Sequence, residues 1–211
     1  MGKLLSHSLS ERPPGQGSRR EDEQDLGALM DALDYAPAHV AANSFGASIV
    51  LGLAARRPDL FRSLIVHEAP IMGIVAGDAE LRPLMKEFQG RVESVSDQLR
   101  AGDIAGGTRR FVEEVALGPG MWEQLPGEMR QTFMNNAPIV LDEVQDAEWV
   151  DLDLGDLSRF SSPALLTEGD HRRRRTGRRP IHDQHEHQRR RQSPPWFPKI
   201  MSKLAGAIDR E

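Results

Sequence analysis

The sequence predicts an α/β fold, with a mainly parallel sheet, flanking helices and a long helical excursion. Three observations carry this expectation. An apolar, strand-like run ending at Asn43 passes at once into a helical pattern carrying Ile49, Val50, Leu51 and Leu53. A second strand-like run, Phe61 to Glu68, follows that helix, which is the order of a parallel β–α–β unit. A third strand, Pro163–Thr167, comes only after some ninety residues of helical periodicity and Gly-Pro punctuation.

Taken in order, residues 1–20 are rich in Ser, Gly, Pro and Arg and read as a disordered head. Leu26, Leu29, Met30 and Leu33 follow the i, i+3, i+4, i+7 rule and mark an amphipathic helix. The strand and helix around Ser44 come next, and Arg56-Arg57-Pro58 ends that helix. From about Ile71 to Asp156 the pattern is helical. One stripe is Leu81, Leu84, Met85 and Phe88; another is Phe111, Val112 and Val115; a third is Met129, Phe133 and Met134. These Met and aromatic stripes read as core packing rather than cofactor contacts. Gly118-Pro119-Gly120 and Pro126-Gly127 divide the pieces, and Phe197 to Ile208 is a last amphipathic helix. The resulting organisation is a core of 21–70, 157–170 and 192–211, with 71–156 as a helical layer and 171–191 as an insertion. No internal repeat is visible.

Composition excludes several classes of chemistry. The chain has 211 residues, 38% of them hydrophobic, which suits one domain with a subdomain. It has no cysteine, so disulfides, thiolate zinc sites and cysteine nucleophiles are excluded, and a cytoplasmic setting is expected. No apolar run approaches the roughly 18–20 residues of a membrane span. Gly106-Gly107 lacks the Lys-Ser/Thr partner of a phosphate-binding loop.

The most informative stretch is His39-Val40-Ala41-Ala42-Asn43-Ser44-Phe45-Gly46-Ala47. Ser44 stands at the strand–helix junction, with Ala42 and Gly46 two residues to either side. This small-x-Ser-x-small pattern is that of a nucleophile elbow, with Ala42 where Gly is usual. Small flanks let the backbone turn sharply and hold the hydroxyl above the sheet edge. Strand, elbow serine, helix, Arg-Pro-Asp-Leu, strand, His-Glu-Ala-Pro: the whole order resembles the α/β-hydrolase family, in its lidded, esterase-like branch. The resemblance runs from the helix Asp25–Tyr35 to Asp170 and resumes at Gln192. It implies a partial α/β-hydrolase fold, with 71–156 as the lid over the substrate.

The resemblance also implies roles. Ser44 would be the nucleophile, and the backbone N–H of Phe45 an oxyanion donor. The plain alternative is a serine that caps the following helix. Two carboxylates compete to orient the base. Glu68, at the end of the strand after the elbow, is preferred; Asp170, directly after Gly169, is the alternative, because it fits the usual Gly-x-x-Asp spacing poorly. No base histidine is identified. The family pattern ends on a Gly-His pair that is absent before Glu211, and the His-Gly loop supplying a second oxyanion donor is not visible in residues 1–24. His39 lies five residues before Ser44, about 16 Å away along a strand. His67 alternates with Glu68 and reads as a core histidine. The chain therefore reads as truncated at both ends, with low stability or self-association expected.

Residues 171–191 contain nine arginines and four histidines against one Asp and one Glu, so they carry about +7 in a chain of net charge −5. Their single large aliphatic residue, Ile181, cannot offset the entropy of ordering, and a disordered insertion is expected. His182, His185 and His187 have spacing suited to imidazole ligation, but a floppy tract holds such ions weakly, and no metal is expected. The arginines suit nonspecific polyanion binding, without aromatics for base stacking. Two readings follow. One is a serine hydrolase cleaving a small hydrophobic ester, needing no cofactor. The other is a non-catalytic hydrolase remnant whose basic loop binds polyanions.

Overall fold

The structure, a computed structural model, describes residues 17–146, 148–169 and 196–208. Its centre is a three-stranded parallel sheet in the order β1-β2-β3, from β1 (Ala38–Asn43), β2 (Phe61–His67) and β3 (Ala164–Thr167). Helix α1 (Arg19–Ala32) precedes the sheet, and α2 (Ser44–Arg56) links β1 to β2. Between β2 and β3 the chain is almost wholly helical: α3 (Arg82–Arg100), α4 (Ile104–Arg110), α5 (Met121–Gln124), α6 (Gly127–Asn135), α7 (Ala137–Gln145) and α8 (Leu154–Leu157). Helix α9 (Phe197–Ile208) comes last. Among the described residues, no helix is long and apolar enough to cross a membrane.

Helix α1 begins inside the stretch read as a disordered head. Ser18 caps it, its hydroxyl accepting from the Glu21 N–H while Glu21 reaches back to the Ser18 backbone. The signal, Ser-x-x-Glu, stands in the sequence, but Ser/Gly/Pro content masked it. The remaining head residues, 1–16, lie outside the described residues.

Alternation places the two sheet faces in different surroundings. Leu64 and Val66 of β2 are buried, with Val40 and Ala42 of β1 and Leu166 of β3 packed against the same core. Leu51, Val50, Leu53 and Ala54 of α2 cover that face, joined by Ile200 and Leu204 of α9 and by Leu157 and Phe160. The opposite face carries the row Ala41–Ile65–Leu165, fixed by register, and Ile65 and Leu165 are exposed. Parallel sheets normally bury both faces; here the described residues cover one.

Helices α1 and α2 touch at a glycine. A Cβ at Gly52 would lie 1.9 Å from Glu23 Oε1, so the buried Glu23 carboxylate occupies the space a side chain would need. Arg19 (Nε to Oε1, 3.2 Å), Arg20 and Arg56 surround that carboxylate. Burial pushes the Glu23 carboxyl from 4.5 up to about 7, against the downward pull of Arg19 and Arg20. The folded state therefore holds this proton more tightly than the unfolded chain. The contribution is fully present below about pH 4.5 and is lost as pH rises through about 7, on the order of 3 kcal/mol in all. Urea unfolding across pH 5 to 7.5 is expected to show the midpoint falling with pH in the native chain and a flatter profile in Glu23→Gln. An equal slope in both would disprove the assignment.

The helical excursion starts and ends at one place. Gly73, in the 3₁₀ turn Met72–Val75, donates its N–H to Val150 O at 3.0 Å, and a Cβ there would meet Asp151 Oδ1 at 1.9 Å. Arg19 ties the same return segment to α1, its backbone N–H donating to Asp146 Oδ2 at 2.8 Å and its guanidinium to Asp151 O. Within the excursion, α3 buries Phe88, Val92, Val95 and Leu99, and Val95, Leu99 and Ala137 of α7 form a small second core. The Leu81 and Phe111 stripes pack inward as read from the sequence. The Met129 stripe does so only in part: Met129 is exposed, while Phe133 and Met134 are half-buried where α6 meets α4 and α7.

Candidate active site

The site is built by the ends of three parallel strands. In the β1–β2 ladder Asn43 pairs with His67, and in the β2–β3 ladder His67 pairs with Thr167. One residue beyond those partners come Ser44 and Glu68, side by side at the carboxyl rim of the sheet. Each has a left-handed backbone, with φ 53° at Ser44 and φ 49° at Glu68. Non-glycine residues adopt this region at a cost of about 1–3 kcal/mol and do so mainly where a site demands it. Two such residues abreast are the strongest local feature of the fold.

The turn at Ser44 comes from its surroundings. Asn43 is still extended (φ −131°, ψ 146°) and acts as N-cap of α2, yet no side chain caps the helix there. Ser44 is itself the first helical residue and is exposed, so the capping alternative for its hydroxyl does not hold. The first-turn N–H groups of α2, including that of Phe45, therefore face the rim without a side-chain partner from Asn43. The expectation that crowding enforces small flanks is corrected at one position: a Cβ at Gly46 would meet nothing within 4 Å. Strand β1 is a sheet edge in the described residues, which leaves that side of the elbow open.

Glu68 is buried, at 7% exposure, directly after β2. Its Oε1 accepts from the Gly169 N–H at 3.0 Å, which ties the end of β3 to the carboxylate. The His67 ring lies beside it, with Nε2 4.0 Å from Glu68 Oε2. The expectation of a core histidine on the far face is therefore corrected. Strand alternation ends after His67: the ring shares the uncovered face of Ile65 and is 40% exposed, while the left-handed turn at Glu68 keeps its carboxylate beside the ring rather than on the opposite face. His67 Nδ1 meets Thr167 Oγ1 at 3.0 Å. His39 is at the other end of β1, with Nδ1 2.7 Å from Ser63 Oγ. Thr167 and Gly169 were not singled out from sequence, since their relevance comes only from strand pairing.

Asp170, the alternative acid, lies outside the described residues, as do His182, His185 and His187 and the whole basic tract 171–191. Among the described residues no group of three His, Cys, Asp or Glu is arranged to hold a metal ion.

No family model matches this chain, and no curated protein matches it. Solved structures do. The structure of DBJA matches with a TM-score of 0.50 at 19% identity, covering 79% of this chain and 63% of that one. The neighbours found this way are α/β-hydrolase fold members. The chain has a partial α/β-hydrolase fold. A haloalkane dehalogenase, the DbeA-M1 loop variant from Bradyrhizobium elkanii, is similar at 22% identity and TM-score 0.48, over 79% of this chain and 61% of its own. Rv0554 from Mycobacterium tuberculosis is similar at 17% identity and TM-score 0.45, over 95% and 67%. The chain thus spans about three-fifths of the length of the dehalogenase variant and of DBJA. In this α/β-hydrolase fold, the rim occupied by Ser44 and Glu68 is the carboxyl end of the parallel strands, where open α/β sheets bind their ligands.

Proposed function

We propose that the chain is a serine hydrolase that cleaves a small hydrophobic ester through an acyl-enzyme on Ser44. The observation that carries this reading is the pair of left-handed residues abreast at the strand ends, one an exposed serine and the other a buried glutamate. A serine hydroxyl is a weak nucleophile and needs a base oriented by a carboxylate, and Glu68 supplies that carboxylate. The N–H of Phe45 stabilises the oxyanion of the tetrahedral intermediate. Helices α3 to α7 form the lid, and their apolar side chains favour an apolar acyl group. Acyl transfer of this kind needs no cofactor. The arginines of 171–191 add a salt-sensitive affinity for polyanions.

The acid assignment has a direct test. A fluorophosphonate probe reacts with an activated serine, and its rate reports the activation. Glu68→Gln is expected to slow labelling by roughly 100-fold or more, whereas Asp170→Asn changes it by less than about threefold. Equal or reversed effects would transfer the role to Asp170.

A further inference from the structure

The geometry points to His67 as the general base of this site, acting on Ser44 across one water. This assignment rests on the serine reading above and adds the group that reading lacks. Of the chain's histidines, His39 and His67 are within the described residues, and only His67 stands at the rim.

Register sets the separation. His67 pairs with Asn43, the residue before Ser44. With strands about 4.8 Å apart and a rise of about 3.3 Å per residue, the Cα atoms of Ser44 and His67 are about 6 Å apart. A base acts directly or through one water. The ring leans toward β3, where Nδ1 meets Thr167 Oγ1, and this leaves Nε2 as the nitrogen that a water shared with Ser44 would meet.

Thr167 fixes the tautomer. Its hydroxyl donates to Val66 O at 3.2 Å, which leaves a lone pair on Oγ1 to accept from His67 Nδ1–H at 3.0 Å. The proton of the neutral ring then sits on Nδ1, and Nε2 presents its lone pair. Nε2 lies 4.0 Å from Glu68 Oε2, so in this arrangement Thr167 orients the ring and Glu68 serves it by charge, stabilising the imidazolium as it forms. The ladder partners of His67, Asn43 on β1 and Thr167 on β3, are neutral; among the described residues, Glu68 is the charged group within ion-pair distance of the ring.

The chemistry balances on these atoms. As Ser44 Oγ bonds to the acyl carbon, its proton passes through the water to Nε2. The tetrahedral intermediate collapses, the C–O bond to the alkoxide breaks, and the imidazolium returns a proton to give the alcohol and acyl-Ser44. A second water then gives a proton to Nε2 as its oxygen attacks the acyl carbon. That proton goes back to Ser44 Oγ as the acid leaves.

The test follows fluorophosphonate labelling of the full chain, with the labelled peptide identified by mass spectrometry. Native protein is expected to label at Ser44. His67→Ala is expected to slow labelling about 100-fold and to recover part of the rate when free imidazole is added. His39→Gln is expected to behave as native. Labelling of His67→Ala at the native rate, or a slow rate that imidazole leaves unchanged, would overturn the assignment while leaving the serine reading standing. No labelling of the native chain would overturn the serine reading, and the base with it. If His67→Ala does not fold, carbethoxylation of the native chain decides. Loss of labelling in step with modification of His67 supports the assignment, and full labelling with His67 modified overturns it.

Discussion

Ser44→Ala is expected to abolish fluorophosphonate labelling and to lower hydrolysis of 1-naphthyl esters by at least about 1,000-fold, with the fold unchanged. The size of the effect follows from the role. Without the hydroxyl there is no acyl-enzyme, and the first-turn N–H groups of α2 can only polarise a carbonyl. The fold tolerates the change because the Ser44 side chain is exposed and α2 takes no side-chain cap. Its backbone, however, stays at φ 53°, which alanine tolerates no better than serine. Melting temperature should therefore move by no more than a few degrees. A variant that keeps the native rate of ester hydrolysis would place the chemistry elsewhere and remove the basis for a role at this turn.

The largest stability loss is expected from Phe160→Ala, at about 3–5 kcal/mol. Phe160 is 1% exposed and meets the equally buried Phe61 edge to face, with ring centroids 6.0 Å apart at 74°. Truncation removes that contact and leaves a cavity beneath the start of β2. It also loosens the entry to β3, because Ser162 Oγ donates to Phe61 O at 2.9 Å from the same short segment. For a chain of this length the loss corresponds to roughly 10 °C in Tm. Met129→Ala, on the exposed α6, is the matched control, expected within about 0.5 kcal/mol of native. Similar losses in both variants would mean that the core does not lie where the packing puts it.

Much of this architecture was legible in the residues. The β–α–β order, the turn at Ser44 and the acidic residue closing β2 all follow from local patterns: apolar alternation, a small-residue frame and a change of period. The limits came from pairing. That Ser44 and Glu68 stand abreast depends on the ladder partners Asn43 and His67, which no periodicity discloses. His67 reads as a core histidine because alternation gives a face without showing whether anything covers it: the ring shares the uncovered face of Ile65, and the left-handed Glu68 keeps its carboxylate beside it. The small-residue pattern at Gly46 reads as a demand of the tight turn, yet a Cβ there meets nothing within 4 Å, and β1 is a sheet edge among the described residues. The Met129 stripe shows that periodicity identifies a helix face without showing what lies against it.

The register of β1 on β2 has a practical reach. The ladder pairing of Asn43 with His67 sets the offset between Ser44 and Glu68, and the buried face of Val40, Ala42, Leu64 and Val66 holds that register. The distance between them therefore depends on the strands and their buried face more than on α1 or the helical layer. Substitutions there can weaken the molecule yet leave the spacing of the two groups intact. Slipping β1 by a single residue would do the reverse, turning every side chain on that strand over and parting the two groups.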